Sequence, residues 1–429
     1  MVNPRLASLA LACLALPALS SLGGCGGSDP APEGGAAPAV ETPKGPPKKE
    51  MPKYDKSGIL EEIKKWQDLR GAVKYAKTKE EKAAAEQAVA DFQKAAVEKW
   101  GAKGVPAPEG YYLGILHDAA GDPVKAVLET RRYLDVAPED HVNAPHALTL
   151  IIKCQSAQED FDGAEATLAK GLAGTFQFKQ AERAGAEATL AAALVKAGRF
   201  ESAARHYEAV AALGTGDPES VIFAADCLQR IGRAPDGAAL ARKSVDLFKD
   251  QAKNADRMKL LARSCELVGQ PAPGFEGARH WKGVGGPVVP EGLQGQVTVV
   301  FAWKMESRWI KQFFQRINQL HSDFADRGVQ VIGISRLWKY DPSQGGTVAD
   351  MTDERELEFY DMWAREYSVN YPLAVGAYGD ESLMDAWAAR VVPSEIVVGK
   401  DGKVAYTRVG KEEEHFAALR QMIEKELAK

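Results

Sequence analysis

At 429 residues the chain is longer than one ordinary hydrophobic core organises, and 45% apolar with 26% charged residues is a globular balance, neither disordered nor fibrous. A formal net charge of -5 gives no basic footprint for a phosphate backbone, so nucleic acid is not an expected partner. The five cysteines, Cys13, Cys25, Cys154, Cys227 and Cys265, form no CxxC pair and no zinc or haem spacing, and the seven histidines form no HExxH. Neither a disulfide framework nor a metal or other cofactor is therefore expected.

The chain starts with Arg5, an apolar run from Leu6 to Leu22 broken by Pro17, and two small residues, Gly23 and Gly24, directly before Cys25. This is the shape of a signal peptide, and the run is shorter than the roughly 20 residues of a membrane-spanning helix. Leu22-Gly23-Gly24-Cys25 resembles the bacterial lipobox. That resemblance implies that residues 1–25 are a lipoprotein signal, that Cys25 is acylated to become the mature N-terminus, and that the protein is held in the cell envelope with its folded part periplasmic or extracellular. An ordinary secretory signal whose cleavage site holds a cysteine is the alternative. Residues 26–54, rich in Pro, Gly and Ala, have too little apolar surface to offset the entropy of ordering and read as a tether.

From residue 55 to 268 apolar residues recur at three- and four-residue spacing among Ala, Glu, Lys and Arg, which predicts a helical domain. Leu113-Gly114, Gly121-Asp122, Ala126 and Pro138 resemble a tetratricopeptide repeat, and a partial copy surrounds Gly198, Phe200, Ala203 and Tyr207. Gly198 and Gly232 lie one 34-residue tetratricopeptide period apart, and a degenerate unit centres on Phe161, Ala164 and Leu168. Generic helical hairpins are the alternative. Repeat arrays of that kind bind proteins or peptides on a concave face, and the longer helices ahead of residue 100 suit a cap. Cys154, Cys227 and Cys265 sit among apolar helical neighbours, where cysteine acts as a small hydrophobe.

Gln270-Pro271-Ala272-Pro273 ends this pattern, and residues 269–429 read as a second domain. Strands are predicted at residues 297–301, 329–335 and 372–375 and in a hairpin around Asp401-Gly402. They are interleaved with helices at residues 307–327, 353–367, 382–389 and 412–427, an α/β order that implies a mixed central sheet.

The run from Leu293 to Phe301, the phrase from Asp326 to Ser335 and the stretch from Val391 to Val404 are similar, in order and spacing, to the thioredoxin-like redoxins of the TlpA and AhpC/TSA group. The resemblance covers over a third of the chain and implies a thioredoxin-like fold. In that family a CxxC follows the first long strand at a helix start, where the dipole and free amides stabilise a thiolate. Here the stretch is Trp303-Lys304-Met305-Glu306-Ser307-Arg308-Trp309, with Glu306 in the place of the nucleophilic cysteine and Trp309 in that of the resolving one. No cysteine follows Cys265, so no catalytic residue is assigned.

What the resemblance leaves is a degenerate redox site, a groove bounded by Trp303, Glu306, Ser307, Arg308, Trp309, Val392 and Pro393. It implies a cis Val392-Pro393 bond, with the Val392 backbone offered to an extended peptide. Glu306 at a helix start is electrostatically favourable by about 0.3 to 1 kcal/mol whatever its role. Glu306 and Arg308 as polar contacts, with Trp303 and Trp309 as apolar anchors, is the functional reading; core filling by the tryptophans is its rival. The expected function is protein or peptide binding by a membrane-anchored protein with a redox-inactive domain. The alternative is a thiol-disulfide oxidoreductase or redoxin-type antioxidant enzyme using a cysteine from outside the usual site.

Overall fold

The computed structural model describes residues 50–138, 140–173, 178–214, 217–305, 310–409 and 413–429. Cys25 and the four positions Glu306, Ser307, Arg308 and Trp309 lie outside the described residues. The chain divides into two compact units, residues 1–193 and 194–429.

In the first unit the helices are α1 (Ile59–Tyr75), α2 (Lys79–Lys103), α3 (Gly110–Ala119), α4 (Pro123–Val136), α5 (Ala144–Ala157) and α6 (Phe161–Leu172), with α7 (Gln180–Lys196) running across the division. Their ends follow local chemistry. Thr78 caps α2 in a capping box with Glu81, Asp122 caps α4 ahead of a first-turn proline, and Asp160 caps α6. Tyr111, Leu113, Leu116, Ala126 and Tyr133 bury a common core between α3 and α4. The close approach depends on Gly114: a Cβ there would fall 2.1 Å from Thr130 Oγ1 and 3.0 Å from the Ala126 carbonyl oxygen.

The second unit continues with α8 (Phe200–Ala212), α9 (Pro218–Arg230), α10 (Ala234–Leu247) and α11 (Ala252–Leu267). Gly232 turns the chain between α9 and α10 at φ 80°, a backbone that only glycine adopts without cost. The strands and helices that follow are β1 (Ala278–Gly283), β2 (Val297–Ala302), α12 (Ile310–Phe324), β3 (Val329–Arg336), β4 (Tyr340–Asp341), β5 (Gly346–Thr347), α13 (Asp353–Glu366), β6 (Pro372–Gly376), α14 (Ser382–Ala386), β7 (Ser394–Val398), β8 (Val404–Val409) and α15 (Glu413–Leu427).

Six strands form one sheet in the order β1-β6-β3-β2-β7-β8. Strands β2, β3 and β6 are parallel, while β1, β7 and β8 each run antiparallel to a neighbour, so the central sheet is mixed as the sequence implies. Every residue of β2 is buried because both faces are covered. On one face Val297, Val299 and Phe301 meet Phe314 and Ile317 of α12, Tyr360 of α13 and Leu419 and Ile423 of α15. On the other, Val300 and Ala302 meet Leu383 and Met384 of α14, with Trp387 and Leu267 beside them.

The helices before the sheet are joined to it by polar bonds as well. On β8 the Tyr406 hydroxyl donates to Asp226 of α9, which pairs with Arg230 at 3.0 Å. Gln229 Oε1 accepts from both the backbone N–H (3.0 Å) and the hydroxyl (3.1 Å) of Thr407. After α11 the backbone of Gly269, Gln270 and Ala272 bonds to Val404 and Gly402, extending the sheet edge.

Gly114→Ala should overpack the α3–α4 contact and lower unfolding stability by about 1 to 3 kcal/mol, read by urea denaturation. A stability equal to wild type would show that the two helices are not in the described contact.

Candidate functional site

In an open α/β sheet, ligands meet the carboxyl ends of the parallel strands, where loops and helix starts converge. Here that edge is made by the ends of β2 and β3 and by the loop entering β7. Ala302 pairs with Ser394 across β2 and β7 and with Ile334 across β2 and β3. Extending both registers by one residue sets Trp303 between Pro393 and Ser335. The Val392–Pro393 peptide bond is cis.

Trp303 is only 2% exposed. Its ring packs against Phe314 (5.0 Å between centroids), Tyr360 (5.1 Å) and Trp363 (6.4 Å), and its backbone is fixed by the bond from its N–H to the Ile334 carbonyl (3.2 Å) and by the Ser335 hydroxyl donating to its carbonyl (2.9 Å). This indole is therefore core, not an exposed anchor. Val392 and Pro393 are half-buried. Of the seven site residues read from sequence, the structure thus brings Trp303, Val392 and Pro393 to one edge; Glu306, Ser307, Arg308 and Trp309 lie outside the described residues, so no geometry is assigned to them.

Polar residues that sequence reasoning missed build the rest of this edge. Arg336, at the end of β3, lies 3.7 Å from the centroid of the Trp338 ring and pairs with Glu381 at 2.8 Å. Lys304 Nζ is 4.3 Å from the same ring. Partial burial, and secondarily the Arg336 charge, pull its ammonium below the ordinary lysine value, while Glu381 opposes the shift. A tryptophan ring approached by two cations, one of them paired with a carboxylate, makes an aromatic, cationic ledge next to Trp303.

Glu356 holds the ledge in place. From α13 its buried carboxylate accepts the backbone N–H groups of Trp338 and Lys339, both at 2.8 Å, and burial raises it above the ordinary glutamate value against the pull of those bonds. Tyr360, also on α13, donates to the Arg336 carbonyl at 2.7 Å. The sequence signal for this role is weak: Glu356 lies in a charged helix start that looks solvated.

A second missed feature is the cross-strand pair of Glu395 on β7 and Arg408 on β8, joined at 2.8 Å with both side chains buried. Glu395 lies two residues beyond the cis bond. Burial pushes its carboxyl up, against the attraction of Arg408 and of Arg316 on α12. Among the described residues no group of three or more His, Cys, Asp or Glu side chains converges to hold a metal ion.

The thiols lie elsewhere. Cys154, Cys227 and Cys265 are all buried and reduced. Burial pushes Cys227 and Cys265 up to about 12, with Asp226 adding to each, and raises Cys154 as well, where the thiol donates to Asp118 Oδ1 at 3.5 Å. Cys265 is 1% exposed and accepts a bond from Gln229 within the helices. Burial thus disfavours the thiolate form, the nucleophile in disulfide exchange, at each of the three cysteines.

The mixed six-strand sheet, with helices on both faces and a cis-proline loop opposite the end of β2, agrees with comparison to known families: residues 268–407 match the AhpC/TSA family. The C-terminal region is a thioredoxin-like domain. Solved structures similar to it include a thioredoxin-like superfamily protein (21% identity, covering 37% of this chain and 97% of that one, TM-score 0.31). Others are a putative thioredoxin from Neisseria meningitidis (21%, 37% and 90%, TM-score 0.28) and a putative thiol:disulfide interchange protein DsbE from Chlorobium tepidum (18%, 36% and 97%, TM-score 0.27). No curated protein matches the chain. The thioredoxin-like domain follows a helical region, and no helix among the described residues is long and apolar enough to cross a membrane.

Replacing Glu395 alone with Leu strands Arg408 in the interior and should cost about 3 to 5 kcal/mol, whereas Glu395→Leu with Arg408→Met should recover most of it. The folded chain holds the Glu395 proton more tightly than the unfolded chain, so the pair's contribution is greatest at low pH. It falls as pH rises from the ordinary glutamate value of 4.5 through the raised one. Urea denaturation of wild type and the double variant should therefore converge across that window; a gap that widens with pH would contradict the assignment.

Proposed function

We propose that this is a lipid-anchored envelope protein whose thioredoxin-like domain has no thiol chemistry and, with the helical region, serves to bind a protein or peptide. The observation that carries the reading is the placement of sulfur: residues 266–429 contain no cysteine, and the three thiols of the helical region are buried and held protonated. Disulfide exchange and the thiol-dependent peroxidase reaction both begin with a thiolate at the substrate. A borrowed cysteine would have to be accessible, and the burial of Cys265 counts against the one nearest in sequence to the domain.

The binding half of the proposal draws on what the fold retains. The cis Val392–Pro393 loop, the Trp338 ledge and the edge of β2 remain at the position where strand ends and loops meet. Short helical hairpins with capped turns, of the kind α3 and α4 make, present extended faces suited to a polypeptide. Acylation at Cys25 would supply the membrane attachment, since two or more acyl chains suffice for stable anchoring.

Insulin reduction and peroxide consumption by the purified protein should stay at background, and a variant with Cys154, Cys227 and Cys265 all changed to Ser should behave identically. Turnover that survives in that triple variant, or that disappears only in it, would contradict the binding reading. Mass spectrometry of the envelope-extracted protein should find a diacylated Cys25 at the mature N-terminus; an unmodified cysteine there would remove the anchor from the account.

A further inference from the structure

The carboxyl ends of β2 and β3 bring two like charges to one indole. Lys304 Nζ stands 4.3 Å and the Arg336 guanidinium 3.7 Å from the centroid of the Trp338 ring, near enough that Arg336 helps to lower the Lys304 ammonium. Glu381 acts on both: it pairs with Arg336 at 2.8 Å and opposes the shift of Lys304. A third cation flanks them. Lys339 lies 4.8 Å from the ring of Tyr378, which is 49% exposed, and donates to the Ala349 carbonyl at 3.2 Å. Glu356 points the other way, into the fold, with its two oxygens taken by the backbone N–H groups of Trp338 and Lys339. Positive charge thus gathers on this ledge in a chain whose net charge is -5.

The ledge is reachable and is tied to the cis-proline loop. Lys304, Arg336, Trp338 and Glu381 are all half-buried, and the Glu381 side chain keeps 30% of its surface exposed. The Trp338 indole N–H donates to Ser335 Oγ at 3.3 Å, and the Ser335 hydroxyl donates to the carbonyl of Trp303, the residue that strand register sets alongside Pro393. A chain lying along Val392 therefore meets Lys304 and Trp338 next.

We infer that this ledge selects polypeptide segments by charge, taking an extended segment that sets a glutamate or aspartate side chain against Lys304 and Arg336. This rests on the peptide-binding reading above and names the class of peptide. A carboxylate there relieves the repulsion between the two cations and gains charge-assisted hydrogen bonds, whereas a lysine would add another like charge. Complementarity of this kind sets specificity more than total affinity.

The test uses the full-length protein and three peptides, Ala-Val-Xaa-Val-Xaa-Val-Ala with Xaa as Glu, Gln or Lys, blocked at both ends and carrying an uncharged fluorophore. Fluorescence anisotropy at low salt should show the Glu peptide binding more tightly than the Gln peptide by about fivefold or more, with the Lys peptide weakest, and about 0.5 M salt should compress the differences. The bulk charge of the protein would give the opposite order. Lys304→Gln should remove most of the difference between the Glu and Gln peptides, Glu381→Gln should widen it, and Lys304→Glu should place the Lys peptide ahead of the Glu peptide. Circular dichroism and Tm check that each variant is folded. A Gln peptide with a free carboxyl terminus should bind like its blocked form; binding equal to that of the Glu peptide would assign the ledge to chain ends and overturn the inference. Saturable binding of the Glu and Gln peptides with equal affinity, or a preference that survives in folded Lys304→Gln, overturns the charge selection and leaves the peptide-binding reading standing. Absence of saturable binding by all the peptides overturns both.

Discussion

Strand β2 sets the geometry of the second unit. Its run Val297-Thr298-Val299-Val300-Phe301-Ala302 is hydrogen-bonded on one side to β3 in parallel and on the other to β7 in antiparallel, and no residue of it reaches solvent. A strand buried on both faces has no freedom of register, because slipping it by one residue would exchange the two apolar faces. That rigidity fixes where Trp303 leaves the sheet, which brings Pro393 alongside and places the start of α12 beyond it. The pair Glu395–Arg408 adds a second lock one strand over. It contributes little net stability by itself, because desolvating two charges offsets their attraction, but it penalises any other pairing of β7 with β8.

The strands and the cis-proline loop of the thioredoxin-like domain are thus in place, while residues 266–429 contain no cysteine. Trp303 is locked by Phe314, Tyr360 and Trp363, and the polar groups nearby are committed to holding the loop after β3: Glu356 to two backbone amides, Ser335 to the Trp303 carbonyl, Tyr360 to the Arg336 carbonyl. Such an arrangement favours rigidity. Around Trp338 the same edge carries an aromatic ring with two cations against it.

Much of this fold is legible in the sequence for definite reasons. The run from Val297 to Phe301 reads as a strand because continuous β-branched residues over so short a length suit burial on both faces. Asp401-Gly402 reads as a turn because glycine takes the positive φ there. Strand β1, Ala-Arg-His-Trp-Lys-Gly, escapes sequence reading because an edge strand mixes polar residues on both faces, and β4 and β5 are two residues each. The groove is less legible. A tryptophan just past a strand looks the same whether it is exposed or buried, and two of the three rings that enclose Trp303 come from α13, more than fifty positions later. Glu356, Glu395 and Arg408 are indistinguishable in sequence from surface charges, since only strand register and helix packing bring them inside. The join of α9 to β8 through Asp226, Gln229, Tyr406 and Thr407 is equally silent, for it links residues about 180 positions apart.

The central claim is that no thiolate is available in the folded protein, and thiol accessibility tests it most directly. Titration of the mature protein with a chromogenic disulfide at pH 8 should give no fast-reacting thiol in the native state. In denaturant three thiols, those of Cys154, Cys227 and Cys265, should appear at the rate of unfolding. A single thiol that reacts within seconds in the native protein would contradict the account and return the domain to redox catalysis.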